Sequence, residues 1–338
     1  MSSIPYKHRM AAHCESGTIT GLLNYHGLSI TEPMVFGLAS AILFGYMKMP
    51  SFEFPMFFVR SRPGKIWKNL SKRLGIEFYM KRYKSPEDAF RELDELLEKN
   101  IPVAVKVDFF YMNYLKPWMR VHNNAHFITI IGKEGSKYLV SDSYYQEVAP
   151  LEEDVLMKAR FTKGMDSPKG LMYYVKQIPK EIDFKKNIII GIKKDAYNML
   201  KIPLPFLGVK GIKRFADKVV EWPKLARNQE HLSHEVMKIN IFLEDQGTGG
   251  AGFRFMYAAY LRQASEILKN EELLNLSKRM MEIGDRWREV PVTAIRMNKN
   301  RDLSDEKFKE LSKLIRARAE DEKIIFTDLS KFAKNFKK

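Results

Sequence analysis

The alternation of apolar and polar positions divides the chain into a mixed first half and a helical second half. Near the start, an apolar face at helical spacing is formed by Ile19, Leu22, Leu23 and Tyr25. A second helix is predicted over residues 32–46, with Thr31 as its cap and Pro33 in its first turn. Residues 52–59 have an extended pattern, and residues 65–74 form a short amphipathic helix.

Strand patterns alternate with helices over the next part of the chain. Residues 76–81 and the apolar run 102–108 predict strands, and a helix opens after Ser85. The buried face of that helix is formed by Phe90, Leu93, Leu96 and Leu97. Residues 126–132 and 137–142, joined by a turn at Gly135, predict a hairpin. The first half therefore indicates an α+β domain with an antiparallel sheet.

The pattern changes after about residue 174. Residues 177–184 read as a linker, and from Asn187 the chain shows successive helical patterns to its end. We therefore predict two domains, an α+β domain over residues 1–178 and an all-α domain over residues 186–338. A length of 338 residues with 45% hydrophobic composition is enough for two such cores.

The charge and the cysteine content limit the partners and the cellular compartment that we expect for this protein. The formal net charge of +16 favours an acidic partner, yet the basic residues form no recognisable nucleic-acid motif, so nucleic acid is not expected. The single cysteine cannot form an internal disulfide, which favours a reducing compartment, and we predict a cytoplasmic protein. No run of about eighteen apolar residues is present, so a transmembrane segment is not expected.

The lone cysteine, Cys14, precedes the apolar face of the first predicted helix. The unpaired amides and positive dipole end of a helix N-terminus favour a thiolate, which is the nucleophilic form of cysteine. A buried structural cysteine is the alternative interpretation.

The predicted hairpin supplies two partners for that thiol. His126 opens the first strand and Asp142 closes the second, and such positions are neighbours in an antiparallel pair. A histidine can take the thiol proton, while a carboxylate orients the imidazole. A structural histidine bonded to a capping aspartate is the alternative.

Asp108 and Tyr111 end the strand before this hairpin and are candidates for binding an amine acceptor. Asp108 could equally cap the loop that leads to His122. His122 and His126 are four residues apart, but they lie on a loop and a strand with no evident third ligand, so we predict neither a metal site nor a cofactor.

Several of these features, in this order, resemble the butirosin biosynthesis protein H family. They are the cysteine helix, the predicted helix 32–46 with Phe36-Gly37-Leu38, the step Leu74-Gly75-Ile76, the strand 102–108 and the hairpin 126–142. The N-terminal domain of that family is in turn similar to papain-like, C39-type cysteine peptidases. The segment Gly247–Arg254, with Tyr257 and Leu261, resembles the helical region that follows this domain in the same family.

The resemblance implies an acyltransferase. Cys14 would accept an acyl group from the phosphopantetheine thioester of an acidic acyl carrier protein and pass it to a small amine-bearing acceptor. His126 would act as base and then acid, and Asp142 would orient it. The peptidase relatives place an oxyanion-stabilising glutamine before the cysteine, whereas this chain has no glutamine before Gln146. The backbone amide of Cys14, helped by His8 or His13, would then stabilise the oxyanion.

A glycine loop in the second half offers an anion site. Gly249 and Gly250 precede a predicted helix over residues 253–268, and Arg254 lies at its start. A helix N-terminus of this kind can hold a phosphate, such as that of a pantetheine arm. A tight turn with close helix packing is the alternative.

Two other functions stay open at this stage. A peptidase or amidohydrolase would use the same three residues with water as acceptor, and a non-enzymatic binding protein would leave Cys14 inert. The sequence does not indicate an oligomeric state.

Overall fold

The computed structural model describes residues 4–49 and 52–336. Within these ranges the chain forms eight β-strands: β1 (Ile42–Met47), β2 (Met56–Arg60), β3 (Glu77–Lys81), β4 (Val103–Val107), β5 (His126–Glu134), β6 (Lys137–Ser141), β7 (Ala149–Glu152) and β8 (Met172–Gln177). The outermost residues of the two predicted domains, 1–3 and 337–338, lie outside the described residues.

The same described ranges contain thirteen α-helices: α1 (Cys14–Tyr25), α2 (Glu32–Leu38), α3 (Lys65–Leu74), α4 (Pro86–Glu98), α5 (Glu153–Phe161), α6 (Phe184–Leu200), α7 (Gly208–Val219), α8 (Trp222–Leu225), α9 (Gln229–Asn240), α10 (Arg254–Leu268), α11 (Glu271–Trp287), α12 (Glu289–Lys299) and α13 (Asp305–Asn335). Single 3-10 turns occur at Phe109–Tyr111, Pro117–Met119 and Ala251–Phe253, and a π-helical turn at Ile241–Asp245.

The chain divides into two compact units, and neither is one continuous segment. The first comprises residues 1–35 and 66–182, and the second comprises residues 36–65 and 183–338. This differs from the predicted ranges 1–178 and 186–338, because residues 36–65 pack with the C-terminal helices. Sequence periodicity could not reveal which unit residues 36–65 join, since it reports local structure and not the partner of a buried segment.

The first unit is built on a six-stranded antiparallel sheet in the order β3-β8-β4-β5-β6-β7. Alternate residues of β4 and β5, including Val105 and Ile128, share one core with Phe90 and Leu93 of α4. Helix α1 packs against β5, and the Thr18 hydroxyl donates to the carbonyl of Phe127. The predicted α+β class with an antiparallel sheet is confirmed.

The second unit is mainly helical, as predicted, and it also contains the β1–β2 antiparallel pair. Aromatic side chains join this pair to the helices: the ring of Phe215 in α7 lies 6.1 Å from that of Phe44 and 5.0 Å from that of Phe57. Phe36 stacks on Phe253 with ring centroids 4.8 Å apart. These contacts explain why residues 36–65 belong to the helical unit.

The prediction of one helix over residues 32–46 is wrong beyond Leu38. Helix α2 ends there, Ser40 adopts a left-handed conformation with φ of 49°, and β1 begins at Ile42. A segment that is apolar on all sides fits a buried strand as well as a buried helix, so periodicity alone could not distinguish them. In the described part of the chain, no helix combines the length and apolarity needed to cross a membrane.

Candidate active site

Cys14 is the first residue of α1, and the loop before it is held by a half-buried acid. Glu32 accepts hydrogen bonds from the backbone amides of Ala12 and His13, each at 2.9 Å, and from the Ser16 hydroxyl at 2.8 Å. Burial, only partly offset by these three donors, raises the pKa of Glu32. Cys14 itself is buried, with 7% of its surface exposed.

His126 and Asp142 meet as the hairpin predicted. His126 opens β5 opposite Val107 of β4, and Asp142 immediately follows the last residue of β6. The His126 Nε2 donates to Asp142 Oδ2 at 2.9 Å, and both side chains are buried. The neighbouring positions in the antiparallel pair therefore place a carboxylate directly behind the imidazole.

The thiol of Cys14 lies beside the residue that precedes His126. Its Sγ donates to the carbonyl oxygen of Ala125 at 3.9 Å. The sulfur of Cys14 also raises the pKa of the His126 imidazole, whose Nε2 is bonded to Asp142. A neutral ring with its proton on Nε2 has an acceptor lone pair on its other nitrogen.

The electrostatics favour a protonated imidazole once the thiol proton has moved. Burial alone lowers the pKa of His126, but the Asp142 carboxylate and the sulfur of Cys14 outweigh burial and raise it to about 10. The reciprocal attraction of His126, with hydrogen bonds from Tyr144 and Tyr114, holds the pKa of Asp142 below its usual value despite burial. The site can therefore hold an imidazolium between a carboxylate and a sulfur anion.

Tyr114 is a member of this network to which sequence reasoning assigned no role. Its buried hydroxyl donates to the same Oδ2 of Asp142 at 2.7 Å, while the amide of Tyr144 donates to Oδ1 at 3.0 Å. Burial and the adjacent carboxylate raise the pKa of Tyr114 well above its usual value, so the hydroxyl remains a donor. No spacing signal links residues 114 and 142, because a loop places the tyrosine.

Two aromatic rings enclose the imidazole. Phe109 meets His126 edge-on with ring centroids 4.7 Å apart, and the ring of Tyr144 lies 5.6 Å away. These contacts restrict rotation of the imidazole and keep water from its faces. The ring is therefore held in the orientation that serves both Cys14 and Asp142.

Asp108 and Tyr111, the predicted acceptor residues, lie on the loop that joins β4 to β5. Asp108 is buried; its Oδ1 accepts from the amides of Phe110 and Asn123, and its Oδ2 from Nδ1 of His122. Tyr111 is half-buried and meets His122 edge-on. Asp108 thus caps the loop, as its alternative interpretation held, and no carboxylate oxygen of Asp108 is left without a protein donor.

The two histidines predicted to stabilise an oxyanion are both engaged elsewhere. His8 uses Nδ1 with the Ser141 hydroxyl at 2.7 Å and Nε2 with the carbonyl of Tyr145 at 3.1 Å. His13 is buried and caps α1, accepting from the amide of Ser16. The structure therefore corrects the assignment of these side chains as oxyanion donors, because both ring nitrogens of His8 and Nδ1 of His13 have partners within the protein.

The predicted anion site at Gly249, Gly250 and Arg254 is also corrected. Arg254 is buried, pairs with Glu322 at 2.6 Å and donates to the carbonyl of Gly252. The amide of Gly250 donates to the Thr248 hydroxyl. A buried carboxylate already neutralises the guanidinium, so the loop does not need an anion there. The loop is instead the tight turn of the alternative interpretation. Gly249 and Gly250 adopt the positive φ angles of this turn, 68° and 89°.

Among residues 4–49 and 52–336, no group of three or more histidine, cysteine, aspartate or glutamate side chains is arranged to hold a metal ion. His122 and His126 in particular do not share a partner: His122 is hydrogen-bonded to Asp108, and His126 is hydrogen-bonded to Asp142.

Comparisons with known proteins match two family models to successive parts of the chain. Residues 13–143 match the family model for butirosin biosynthesis protein H, N-terminal, and residues 154–329 match a domain of unknown function, DUF4872. A putative C39-like peptidase from Bacillus anthracis is a structural neighbour at 14% identity and a TM-score of 0.36, covering 52% of this chain and 96% of that chain. No curated protein matches the chain significantly.

The first family model spans Cys14, His126 and Asp142, and the second extends over most of the helical half. The predicted resemblance to the butirosin biosynthesis protein H family is confirmed over residues 13–143. The chain therefore belongs to the DUF4872 family, and its first part is similar to the N-terminal domain of butirosin biosynthesis protein H.

Proposed function

We propose that the protein is a cysteine-dependent acyltransferase that moves an acyl group from a carrier-protein thioester to an amine through an acyl-enzyme on Cys14. The observation that carries this proposal is that the thiol of Cys14 and the carboxylate of Asp142 both interact with the imidazole of His126. This arrangement is the nucleophile, base and orienting group that covalent catalysis requires.

In the first half-reaction, His126 holds the proton of the thiol, and the sulfur attacks the carbonyl carbon of the donor thioester. The new carbon–sulfur bond to Cys14 forms, the bond to the donor sulfur breaks, and the departing thiolate takes the proton from His126. Asp142 stabilises the intermediate imidazolium without itself accepting the proton.

The amide of Cys14 is the proposed oxyanion donor. The first amides of an α-helix have no partner within the helix, and the positive end of the α1 dipole favours negative charge there. Because a thioester carbonyl is already activated, a site without a glutamine donor suits a thioester better than an amide. This reasoning favours a transferase over a peptidase, although both would use the same three residues.

An acidic acyl carrier protein is the proposed donor. The formal net charge of +16 favours association with an acidic protein through long-range attraction. The proposed acceptor is a small molecule with a primary amine, as the family resemblance implies.

The direct test is incubation with an acyl-carrier-protein thioester followed by intact-mass measurement. We expect the protein to gain the mass of one acyl group, and the Cys14→Ala variant to gain none. Addition of a primary amine should then remove the adduct and yield an amide. Loss of the adduct to water at the same rate without amine would support the hydrolase instead, and absence of any adduct would refute the acyl-enzyme.

A further inference from the structure

A second histidine–carboxylate pair lies on the loop between β4 and β5. The Nδ1 of His122 donates to Asp108 Oδ2 at 2.7 Å. The carboxylate is fully buried, whereas the His122 side chain is 64% exposed. The loop thus presents an imidazole to solvent while a buried acid holds it from behind.

The contacts of this pair define which nitrogen is basic. Asp108 Oδ1 accepts from the amides of Phe110 and Asn123, so the carboxylate is fixed by the loop. Since a carboxylate only accepts, His122 Nδ1 carries the proton, and Nε2 of the neutral ring has the free lone pair. Phe110 stacks on the imidazole at 4.2 Å with an interplanar angle of 19°, which sets the plane of the ring.

The loop connects this pair to the candidate active site. The carbonyl of Ala125 is 3.9 Å from Cys14 Sγ. His122 lies three residues before Ala125, so the Cα atoms of His122 and Ala125 are at most about 11 Å apart. The amide of Phe109 donates to the carbonyl of Asn123, and the Phe109 ring contacts His126. His122 and His126 therefore lie on one short segment of backbone, and the carbonyl of Ala125 in that segment contacts the thiol.

We propose that His122 is a further catalytic base, which takes the first proton from the ammonium group of the acceptor, with Asp108 as its positioning residue. The inference rests on the proposed function, because it concerns discharge of the acyl-enzyme by an amine. A primary amine is mostly an ammonium ion at neutral pH and cannot attack a carbonyl until it loses that proton.

Amide formation requires the loss of two protons from the ammonium group. His122 Nε2 takes the first, and the neutral amine attacks the acyl carbon on Cys14. As the carbon–nitrogen bond forms, the second proton passes to His126, and the carbon–sulfur bond breaks to leave a thiolate paired with the imidazolium. His122 then releases its proton to solvent, to which its ring is open.

His126 is poorly suited to both transfers. Its ring is buried, its Nε2 is occupied by Asp142, and the same ring serves the sulfur of Cys14. The other titratable groups in contact with His122 are Asp108, from the end of β4, and Tyr111, from the adjoining 3-10 turn. An exposed imidazole with a single buried acid behind it is suited to exchange protons between an acceptor and water.

The test measures single-turnover discharge of the isolated acyl-enzyme with two nucleophiles. At neutral pH an alkyl amine in solution is mostly protonated, whereas hydroxylamine is mostly uncharged. In His122→Asn, we expect discharge by the alkyl amine to slow by about tenfold or more, and discharge by hydroxylamine to stay within about twofold of the unsubstituted protein. The deficit should shrink as the pH rises, because the bulk amine loses its own proton.

Asp108→Asn tests the positioning role. Its single side-chain oxygen can still accept from the two loop amides, which leaves the amide group facing His122 Nδ1. That donor moves the ring proton to Nε2 and removes the base, so this variant should show the same selective defect. His234→Asn, an exposed histidine in the other unit, is the matched control and should discharge both nucleophiles normally.

The outcomes separate the two proposals. Normal acylation with equal rates for both nucleophiles in His122→Asn would overturn the role of His122 alone. An equal loss with both nucleophiles would do so too, because it would indicate disturbance of the site as a whole. If no acyl-enzyme forms on Cys14 in the unsubstituted protein, the proposed function fails and this inference fails with it.

Discussion

Two histidine–carboxylate pairs lie on or beside the β4–β5 loop. Their nitrogen–oxygen distances are similar, but their imidazoles differ in exposure to solvent. The nitrogen–oxygen distances are 2.9 Å for His126 and Asp142 and 2.7 Å for His122 and Asp108. In the first pair both groups are buried, and in the second the imidazole is open to water. The comparison indicates that environment, more than pairing, assigns a histidine its role: one retains a proton beside the sulfur, and the other exchanges protons with solvent.

The largest expected effect comes from removing the buried imidazole. His126→Asn should slow acyl transfer by about 10³-fold, because the thiol loses its base. Labelling of Cys14 by stoichiometric iodoacetamide near neutral pH, followed by mass spectrometry, checks the same step. His122→Asn is the matched control and should label as fast as the unsubstituted protein. Equal labelling of the His126 variant would instead support an inert cysteine.

Asp142→Asn should come next, with a loss of about 10²-fold in acyl transfer. Asparagine supplies one acceptor oxygen where Asp142 offers two, so it cannot serve Tyr144, Tyr114 and His126 together. Without the carboxylate, the pKa of His126 should fall from about 10, which NMR titration of the ring can follow. An unchanged His126 pKa would show that the carboxylate is not its main partner.

The same pair should make stability depend on pH. The folded-state pKa of His126 lies above its ordinary value of 6.5, so its contribution to the free energy of unfolding is complete below about pH 6.5 and is lost as the pH rises through about 10. Urea unfolding across this window should show a steeper decline in the unsubstituted protein than in Asp142→Asn. Parallel curves would argue against a protonated His126 in the folded protein.

Tyr114→Phe should have a smaller effect, about 1–2 kcal/mol in the free energy of unfolding and less than about tenfold in acyl transfer. The change removes one donor from Asp142 Oδ2 while leaving the amide of Tyr144 on Oδ1. With less competition for Oδ2, the attraction of Asp142 for His126 should increase and raise the His126 pKa further. A fall in that pKa would instead indicate that Asp142 has turned away.

The smallest expected effect is on stability at the exposed pair. His122→Asn should change the free energy of unfolding by less than about 1 kcal/mol, because the His122 side chain is 64% exposed and the asparagine amide can still donate to the buried Asp108 carboxylate. Urea unfolding of this variant beside His126→Asn tests the contrast directly. A loss as large as that of the buried pair would assign His122 a structural role in the loop.

Much of the site was predictable because its parts obey short-range rules. Cys14 was predicted near a helix start and begins α1, and the hairpin of β5 and β6 brought His126 and Asp142 together. The roles predicted for His8, His13 and Arg254 were wrong for a common reason. Each of these side chains makes a polar contact within the protein, and residue type does not reveal whether such a contact exists.

The sequence by itself determined the alternation of helices and strands, the hairpin and the placement of the thiol at a helix start, because these follow from periodicity and register over a few residues. Only the tertiary structure decided that residues 36–65 join the helical unit, that the thiol of Cys14 contacts the carbonyl of Ala125 beside His126, and that Tyr114 shares Asp142. Such contacts join residues far apart in the chain, and their formation depends on how whole elements pack.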